Sequence, residues 1–251
     1  MKLIFFIIFI KSLLISLFKT LSGCKPNRFT SKIPEYAIKL MINDINEKRS
    51  NLANGNQMAK DDKILPKSSR MNQIYWNTDL ETKAQKWANE LVDECKFEHN
   101  SDRKVGINDI STGENLYTFS TSTPKSIEDL GNTFLKANRG FWDNEVIFFD
   151  TSNVESYKFE KNTGHFTAMA WGDTSEIGCG YALHEDDIWP SNELVVCYYT
   201  TVGNVEGRKM YQEGEPCSEC ENGVSCSETY KGLCGANGLY RKYTTTGNPD
   251  I

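Results

Sequence analysis

The sequence has only three histidines among its 251 residues, namely His99, His165 and His184. A metal site or an acid–base catalyst that uses imidazole therefore has few candidate residues. The sequence also lacks a run of lysines and arginines, and its formal net charge is −6. Because proteins that hold a phosphate backbone need clustered positive charge, we predict that the protein has no nucleic-acid partner.

The local motifs of common catalytic sites are missing as well. There is no Gly-x-Ser-x-Gly nucleophile motif and no glycine-rich loop of the kind that cradles phosphate. Cysteine is scarce, but its number, eight, is even, which in a secreted chain predicts four disulfides and no free thiol nucleophile. Because no nucleophile–base pair is identifiable, we predict that the protein is not an enzyme.

A continuous apolar run occurs at the N-terminus, where residues 3–10 contain no polar side chain. Lys11 interrupts this run, so a membrane-spanning helix of about 20 apolar residues is not available. Ser22 and Gly23 supply the small residues that precede a cleavage site. These features predict a signal peptide over residues 1–23, a secreted, extracellular mature protein and no membrane-spanning segment. The alternative is an uncleaved anchor.

The composition changes near the end of the mature chain. Residues 24–204 have the mixture of a globular domain, whereas residues 205–251 are rich in cysteine, glycine and glutamate. Four cysteines lie between positions 217 and 234. A segment of this length cannot build a hydrophobic core of its own, so we expect disulfides to hold it. The sequence therefore predicts one domain followed by a small, hinge-like tail.

Periodic apolar residues predict three amphipathic helices and three strands within the domain. One helix begins near Glu35 and ends before Asn54, a second spans residues 77–95, and a third begins after Ser126 and reaches Phe141. Strands are predicted at residues 113–120, 176–183 and 193–200. Both kinds of element are required by a layered fold that packs helices on a sheet.

Four local patterns occur in a definite order between Cys95 and Asn204. They are Cys95-Lys-Phe-Glu-His99, Gly113-Glu114-Asn115-Leu116-Tyr117, Gly164-His165-Phe166-Thr167 with Ile177-Gly-Cys179-Gly, and Val195-Val-Cys197-Tyr198-Tyr199 with Gly203-Asn204. Together they resemble the cysteine-rich secretory protein, antigen 5 and pathogenesis-related superfamily, the CAP or SCP domain, over roughly residues 30–205. The tail resembles that of venom-allergen-like secreted proteins of nematodes. One departure is Ile45-Asn46, where many members carry His-Asn.

The resemblance implies an α+β fold, a three-layer α-β-α sandwich followed by the disulfide-held tail. It also implies a central cleft formed by His99, Glu114, Glu145 and His165. Two imidazoles and two carboxylates suit Zn²⁺ as a cofactor. The alternatives are a structural hydrogen-bonded network or, if a metal acts catalytically, a hydrolase or protease. Spacing alone leaves open whether Glu145 continues the buried face of the third helix or lies in solvent beyond its end.

The eight cysteines allow about a hundred disulfide connectivities by sequence alone. Cys179 and Cys197 lie on two strands that are expected to pair, which predicts a disulfide between them. The resemblance implies a disulfide between Cys24 and Cys95. For the tail it implies the pairs Cys217–Cys226 and Cys220–Cys234.

An aromatic loop at residues 146–164 precedes the Gly-His-Phe-Thr pattern. In some family members the corresponding loop contributes to sterol binding, which makes Phe148, Phe149 and Tyr157 candidate ligand-binding residues for a sterol or fatty acid. The alternative is that some of these rings pack into the core and others cover it. The resemblance thus predicts a secreted, non-enzymatic, venom-allergen-like protein that binds a lipid or an extracellular protein of a host or neighbour.

Overall fold

The computed structural model describes residues 25–27, 32–105 and 110–240 of the chain. The predicted signal peptide, residues 1–23, and the predicted disulfide partner Cys24 lie outside the described residues. The helices are α1 (Glu35–Ala53), α2 (Thr78–Glu94), α3 (Leu130–Phe141), α4 (Asp143–Val146) and α5 (Gly164–Ala170), with 3₁₀ turns at Lys60–Asp62, Ile127–Asp129 and Thr151–Val154. The strands are β1 (Lys25–Asn27), β2 (Ser68–Arg70), β3 (Tyr75–Trp76), β4 (Lys104–Val105), β5 (Ile110–Ser111), β6 (Gly113–Thr121), β7 (Glu176–Glu185), β8 (Ser191–Thr200) and β9 (Gln212–Glu213).

The main sheet has the strand order β1-β7-β8-β6, and β3 also pairs with β7. The β3–β7 pair is parallel and the others are antiparallel. Strand β6 forms one edge of the sheet among the described residues. The register of β7 on β8 places Cys179 opposite Cys197, and the structure contains the disulfide between them.

Helix α2 covers one face of the sheet. Its apolar stripe packs against side chains of β6, β7 and β8 in a cluster that includes Leu80, Ala84, Leu91, Leu116, Val196 and Tyr198. Glycine is required at two positions of β7, because a Cβ on Gly178 or Gly180 would lie 2.2 or 2.4 Å from the main chain of α2. These two glycines allow the helix to lie directly on the strand.

Helices α1, α3 and α5 cover the other face and bury the larger core. This cluster includes Ile42, Ile45, Phe134, Phe166, Ile177 and Tyr181. The sheet between two helical layers is the three-layer α-β-α sandwich that the resemblance implied, so the predicted fold class is confirmed. Within the described residues, no helix combines the length and the apolarity needed to cross a membrane.

A buried cation, Arg49, joins α1 to the turn that follows α5. Its guanidinium donates hydrogen bonds to the main-chain carbonyls of Asn72, Met169, Trp171, Gly172 and Thr174. Burial lowers the pKa of Arg49 to about 9, so the group is still charged at neutral pH. The carbonyl oxygens replace the water that the cation has lost, and the contact fixes the end of the helix that carries His165.

The tail folds back onto the domain. Strand β9 pairs with β2, and the disulfides Cys217–Cys226 and Cys220–Cys234 are those that the resemblance implied. Disulfides hold the tail, as expected, and its side chains also enter the larger core of the domain. These side chains are Met210, Tyr211 and Leu233. Cys95 is also disulfide-bonded, but its predicted partner is not among the described residues.

Candidate functional site

The four predicted cleft residues form two histidine–glutamate pairs. Nδ1 of His99 lies 2.5 Å from Oε1 of Glu114, and Nδ1 of His165 lies 2.6 Å from Oε1 of Glu145. A carboxylate on Nδ1 places the proton of the neutral ring there and leaves Nε2 with the lone pair. The side chains of His99 and His165 are 55% and 35% exposed, so solutes can reach both rings.

Glu114 ties the loop after α2 to the edge strand β6. Its side chain is fully buried, and Oε1 also accepts a hydrogen bond from the main-chain nitrogen of Asn100 at 3.1 Å. Helix α2 ends at Cys95, whose left-handed backbone (φ 53°) turns the chain out of the helix toward His99. The carboxylate of Glu114 therefore positions both the imidazole of His99 and the main chain of Asn100.

The position of Glu145, which spacing left open, is decided by a break between α3 and α4 at Trp142. The side chain of Glu145 is 14% exposed, and its Oε2 accepts hydrogen bonds from the main-chain nitrogens of His165 and Phe166 at 2.9 and 3.0 Å. These nitrogens belong to the first turn of α5, where no intrahelical acceptor exists. Glu145 therefore caps α5 and orients the imidazole of His165 with the same carboxylate.

Asn115 links the two pairs through strand β6. Its Nδ2 donates a hydrogen bond to the main-chain carbonyl of His165 at 3.2 Å. Successive side chains of a strand point to opposite faces, so Glu114 reaches the ring of His99 from one face of β6 and Asn115 reaches the main chain of His165 from the other. The ring of His165 also stacks on Phe141, with the ring centroids 5.1 Å apart. The two pairs thus flank the first residues of one edge strand.

The two pairs leave Nε2 of each imidazole, rather than the carboxylate oxygens, as the candidate metal ligand. Among the residues that the structure describes, no three of His99, Glu114, Glu145 and His165 bring one ligand atom each within 4.8 Å of one another. The group that does so is Cys217, Cys220 and Cys234, whose sulfurs are all in disulfides. Carboxylates that hold Nδ1 while Nε2 meets the metal are the usual outer partners of zinc-binding histidines. The geometry therefore gives Glu114 and Glu145 an orienting role.

Tyr198 lies next to Glu114 but is not a base at neutral pH. Burial raises the pKa of the Tyr198 hydroxyl, and the neighbouring Glu114 carboxylate raises it further. The ammonium of Lys83 lies 5.9 Å from the centroid of the Tyr198 ring and 3.7 Å from a carboxylate oxygen of Asp102. The hydroxyl is thus protonated at neutral pH and cannot accept a proton from a substrate.

The aromatic loop before α5 divides into buried and exposed rings. Phe149 and Tyr157 are fully buried, with ring centroids 5.3 Å from Phe166 and 5.5 Å from Trp171, respectively. Phe148 is 51% exposed. The expected three-ring ligand surface is therefore corrected: Phe149 and Tyr157 are core residues, because main-chain hydrogen bonds between Tyr157 and the tail hold the loop against the domain.

Sequence reasoning missed the exposed apolar side chains on the loop that meets the Phe148 loop. Four large apolar residues, each about half exposed, form what we call the Phe148 surface: Met58, Ile64, Ile147 and Phe148. Met58 and Ile147 line one depression of about 380 Å³, and Met58 pairs with Ile64 in a β-bridge. A hydrogen bond from the main-chain nitrogen of Lys60 to the carbonyl of Phe149 joins the two segments. No local pattern could have indicated this surface, because its two loops meet only after folding.

The sequence matches the family model for the cysteine-rich secretory protein family, CAP, over residues 42–199. This match covers more than half of the chain. The chain belongs to the CAP family. The resemblance found in the sequence is thereby confirmed, and both histidine–glutamate pairs of this CAP protein lie within the matched residues.

Similar proteins include several that are named after venoms. Venom allergen 5 of Tityus serrulatus is 31% identical to this CAP protein over 204 residues, which are 77% of this chain and 46% of that protein. Cysteine-rich venom protein of the same organism is 33% identical over 86% of this chain and 50% of its own length. Scoloptoxin SSD43 of Scolopendra dehaani is 32% identical over 75% of this chain and 80% of its own length. The chain thus spans about half the length of the two Tityus serrulatus proteins.

Solved CAP structures have the same fold. BmVAL-1 superposes with a TM-score of 0.67 and 28% identity, over 84% of this chain and 99% of that chain. NaASP2, solved with Zn²⁺, superposes with a TM-score of 0.63 and 25% identity, over 83% of this chain and 100% of that chain. The α-β-α sandwich of this CAP protein is therefore shared with venom-allergen-like structures.

Proposed function

We propose that this CAP protein is an extracellular, non-enzymatic binding protein that takes an apolar lipid on the Phe148 surface. The observation that carries the proposal is the half-exposure of four large apolar side chains on two loops that meet. Met58 and Ile147 line a depression, and Ile64 and Phe148 belong to the same two loops. Isolated apolar side chains are ordinary on protein surfaces, whereas large apolar side chains gathered on adjoining loops are typical of a contact site. Its depression, of about 380 Å³, is in the size range of small-ligand sites.

The charges around the depression favour a sterol over a fatty acid. Asp61, Asp62 and Asp143 line it together with Met58 and Ile147. A carboxylate accepts a hydrogen bond from a sterol hydroxyl, but it repels the carboxylate of a fatty acid. We therefore assign the site to a neutral, hydroxylated lipid. An extracellular protein partner is the other outcome that the test below distinguishes.

Three observations support an extracellular location. The N-terminal residues have the sequence pattern of a signal peptide. Every cysteine that the structure describes is disulfide-bonded, and disulfides persist in oxidising compartments. Relatives that are 30% identical or more include proteins named venom allergen.

We also propose that the two histidine–glutamate pairs form a Zn²⁺-binding site. His99 and His165 would hold the ion through Nε2, while Glu114 and Glu145 orient the rings through Nδ1. The non-enzymatic assignment is supported by the absence of a free thiol among the described residues and by the protonated state of Tyr198. The alternative, a metal-dependent hydrolase or protease, is tested by assaying peptide hydrolysis with and without Zn²⁺.

The lipid assignment is tested by measuring the binding of radiolabelled cholesterol to the purified protein and to single variants. Phe148→Ser and Ile147→Ser are each expected to weaken binding about tenfold, because burying a half-exposed side chain of this size contributes about 1–1.5 kcal/mol. Phe159→Ser is the matched control, since Phe159 lies in the same loop, is 60% exposed and is not part of the Phe148 surface.

Unchanged cholesterol affinity in both Phe148→Ser and Ile147→Ser would overturn the assignment of the site. Equal affinity for palmitate would contradict the preference for a sterol. If the wild-type protein shows no saturable cholesterol binding but attaches to cell surfaces through Phe148, the partner is an extracellular protein instead.

A further inference from the structure

A cleft of about 370 Å³ lies between the disulfide-held tail and the domain. One wall comes from the segment that includes Gln73 and Tyr75, and the other comes from tail residues near Cys226, Cys234 and Tyr240. Neither the histidine–glutamate pairs nor the Phe148 surface contributes to this cleft. Its volume suits a small ligand.

The tail wall is held in place by hydrogen bonds to the domain. The main-chain nitrogen of Gln73 donates to the carbonyl of Cys234 at 2.9 Å. The hydroxyl of Tyr75 accepts from the main-chain nitrogen of Ala236 at 2.7 Å and donates to its carbonyl at 2.9 Å. Position 235 of the tail must be glycine, because a Cβ atom there would lie 2.6 Å from the hydroxyl oxygen of Tyr75. The cleft is therefore formed before any ligand binds, which lowers the entropic cost of binding.

The described residues that line the cleft carry charge of one sign only. Its described lining includes two carboxylates, Glu221 and Glu228, and no lysine, arginine or histidine. Tyr75 and Tyr240 add aromatic rings. Carboxylates and aromatic faces both attract organic cations, the first by charge and the second through the ring quadrupole.

Gln73 provides an independent sign that the cleft accepts a hydrogen-bond donor. The residue is fully buried, and its Nε2 donates to the carbonyl of Ala236 at 3.0 Å, which sets the orientation of the amide. The other amide atom, Oε1, accepts no hydrogen bond from the residues that the structure describes. A buried acceptor without a donor is unfavourable, and an N–H group brought by a ligand would satisfy it.

We propose that this cleft binds an organic cation with a primary ammonium or guanidinium group. The cationic group lies between Glu221 and Glu228, and the apolar part of the ligand packs on Tyr240. One N–H group of the cation reaches Oε1 of Gln73 after a small shift of the tail main chain beside it, because that oxygen is covered in the unliganded protein. This site is separate from the proposed lipid site, so either can fail without the other.

The test uses 2-phenylethylammonium as the probe and 2-phenylethanol as a neutral ligand of nearly the same shape. Each is titrated calorimetrically into the full-length protein. We expect the ammonium to bind at least about tenfold more tightly than the alcohol, because the carboxylates stabilise only the cation. Added salt should weaken the binding of the ammonium, since the charges at the rim are exposed to solvent.

Matched variants locate the probe. Replacing both carboxylates, Glu221→Gln with Glu228→Gln, keeps the shape of the cleft and is expected to weaken ammonium binding at least about tenfold. Glu90→Gln, an exposed residue of α2, is the control that should bind as the wild type does.

Three results would overturn the proposal. They are equal affinity for the ammonium and the alcohol, unchanged affinity in the double variant of Glu221 and Glu228, and no saturable ammonium binding below about 10 mM. A thermal unfolding curve for each variant establishes that a loss of binding is not a loss of folding.

Discussion

One carboxylate, that of Glu145, both caps helix α5 and pairs with the imidazole of His165. Oε2 accepts a hydrogen bond from the main-chain nitrogen of His165 at 2.9 Å, and Oε1 lies 2.6 Å from Nδ1 of the same residue. The start of the helix and the orientation of the ring therefore depend on a single side chain. Glu114 combines roles in a similar way, because it holds the ring of His99 and the main chain of Asn100.

Removing the Glu145 carboxylate should destabilise the protein. We expect Glu145→Ala to lower the free energy of unfolding by about 1–3 kcal/mol, since two helix-end N–H groups lose their acceptor in a mostly buried site. Glu145→Gln should cost less, because its amide oxygen can still accept. Urea denaturation measures the change, with Glu155→Ala as the control, since Glu155 is exposed and pairs with Lys209. Equal losses in the two alanine variants would show that Glu145 does not cap α5.

Zn²⁺ should bind through the two histidines and bind less well in acid. Calorimetry is expected to show weaker binding at about pH 5.5 than at about pH 7.5, because a protonated imidazole cannot coordinate a metal. His99→Ala and His165→Ala should each weaken binding, and Glu145→Gln should weaken it about 10–100-fold by releasing the ring from its orientation. His184→Ala is the control, since that histidine belongs to neither pair.

Equal heats at the two pH values, or unchanged binding in His165→Ala, would leave the pairs with a structural role alone. Hydrolysis of peptide substrates that requires Zn²⁺ and is lost in His165→Ala would contradict the non-enzymatic assignment.

The same substitution at Phe148 and at Phe149, which are neighbours in the aromatic loop, should change the free energy of unfolding by very different amounts. Phe149→Ser is expected to lower the free energy of unfolding by about 3–5 kcal/mol, because Phe149 is fully buried against Phe166. Phe148→Ser should change it by no more than about 0.5 kcal/mol, since half of that ring is already in water. Chemical denaturation distinguishes the two. A large loss in Phe148→Ser would mean that this ring belongs to the core.

Buried tyrosines should make the fold sensitive to alkali. Burial raises the pKa of the Tyr181, Tyr199 and Tyr211 hydroxyls above the ordinary value of 10.0. Above that pH the unfolded chain loses protons that the folded chain keeps, so the free energy of unfolding falls as the pH rises. The lowered pKa of Arg49 acts in the opposite direction from about pH 9 upward, but it is one group against several tyrosines, Tyr198 included.

The alkaline effect is measured by urea denaturation between about pH 8 and pH 11. Tyr211→Phe should show a smaller fall in stability over this range than the wild type, because one titrating group has been removed. Tyr36→Phe is the comparison, since Tyr36 is 45% exposed and its pKa is raised less than that of Tyr211, so its removal should change the pH dependence less. A fall in stability as large in Tyr211→Phe as in the wild type would show that the Tyr211 hydroxyl ionises equally in both states.

The resemblance named the four residues of the cleft, but it did not indicate how they pair. Glu145 and His165 are separated by 20 positions, and Glu114 and His99 by 15. Which ring nitrogen meets which carboxylate depends on the break at Trp142 and on the turn after Cys95, and neither follows from apolar spacing. The same holds for the Phe148 surface, whose two loops carry no periodic signal.

By itself, the sequence determined the three helices, the main strands, the family and the tail disulfides. Apolar spacing predicts helices and strands because it depends only on residues that are close together in the sequence. The family could be identified because its motifs are short and occur in a fixed order. Only the tertiary structure decided that Phe149 is core while Phe148 is exposed, that Glu145 caps a helix, and that the tail adds side chains to the domain core. Each of these features depends on which segments pack together. Phe148 and Phe149 have the same side chain, and only the folded backbone decides which of the two points into the core.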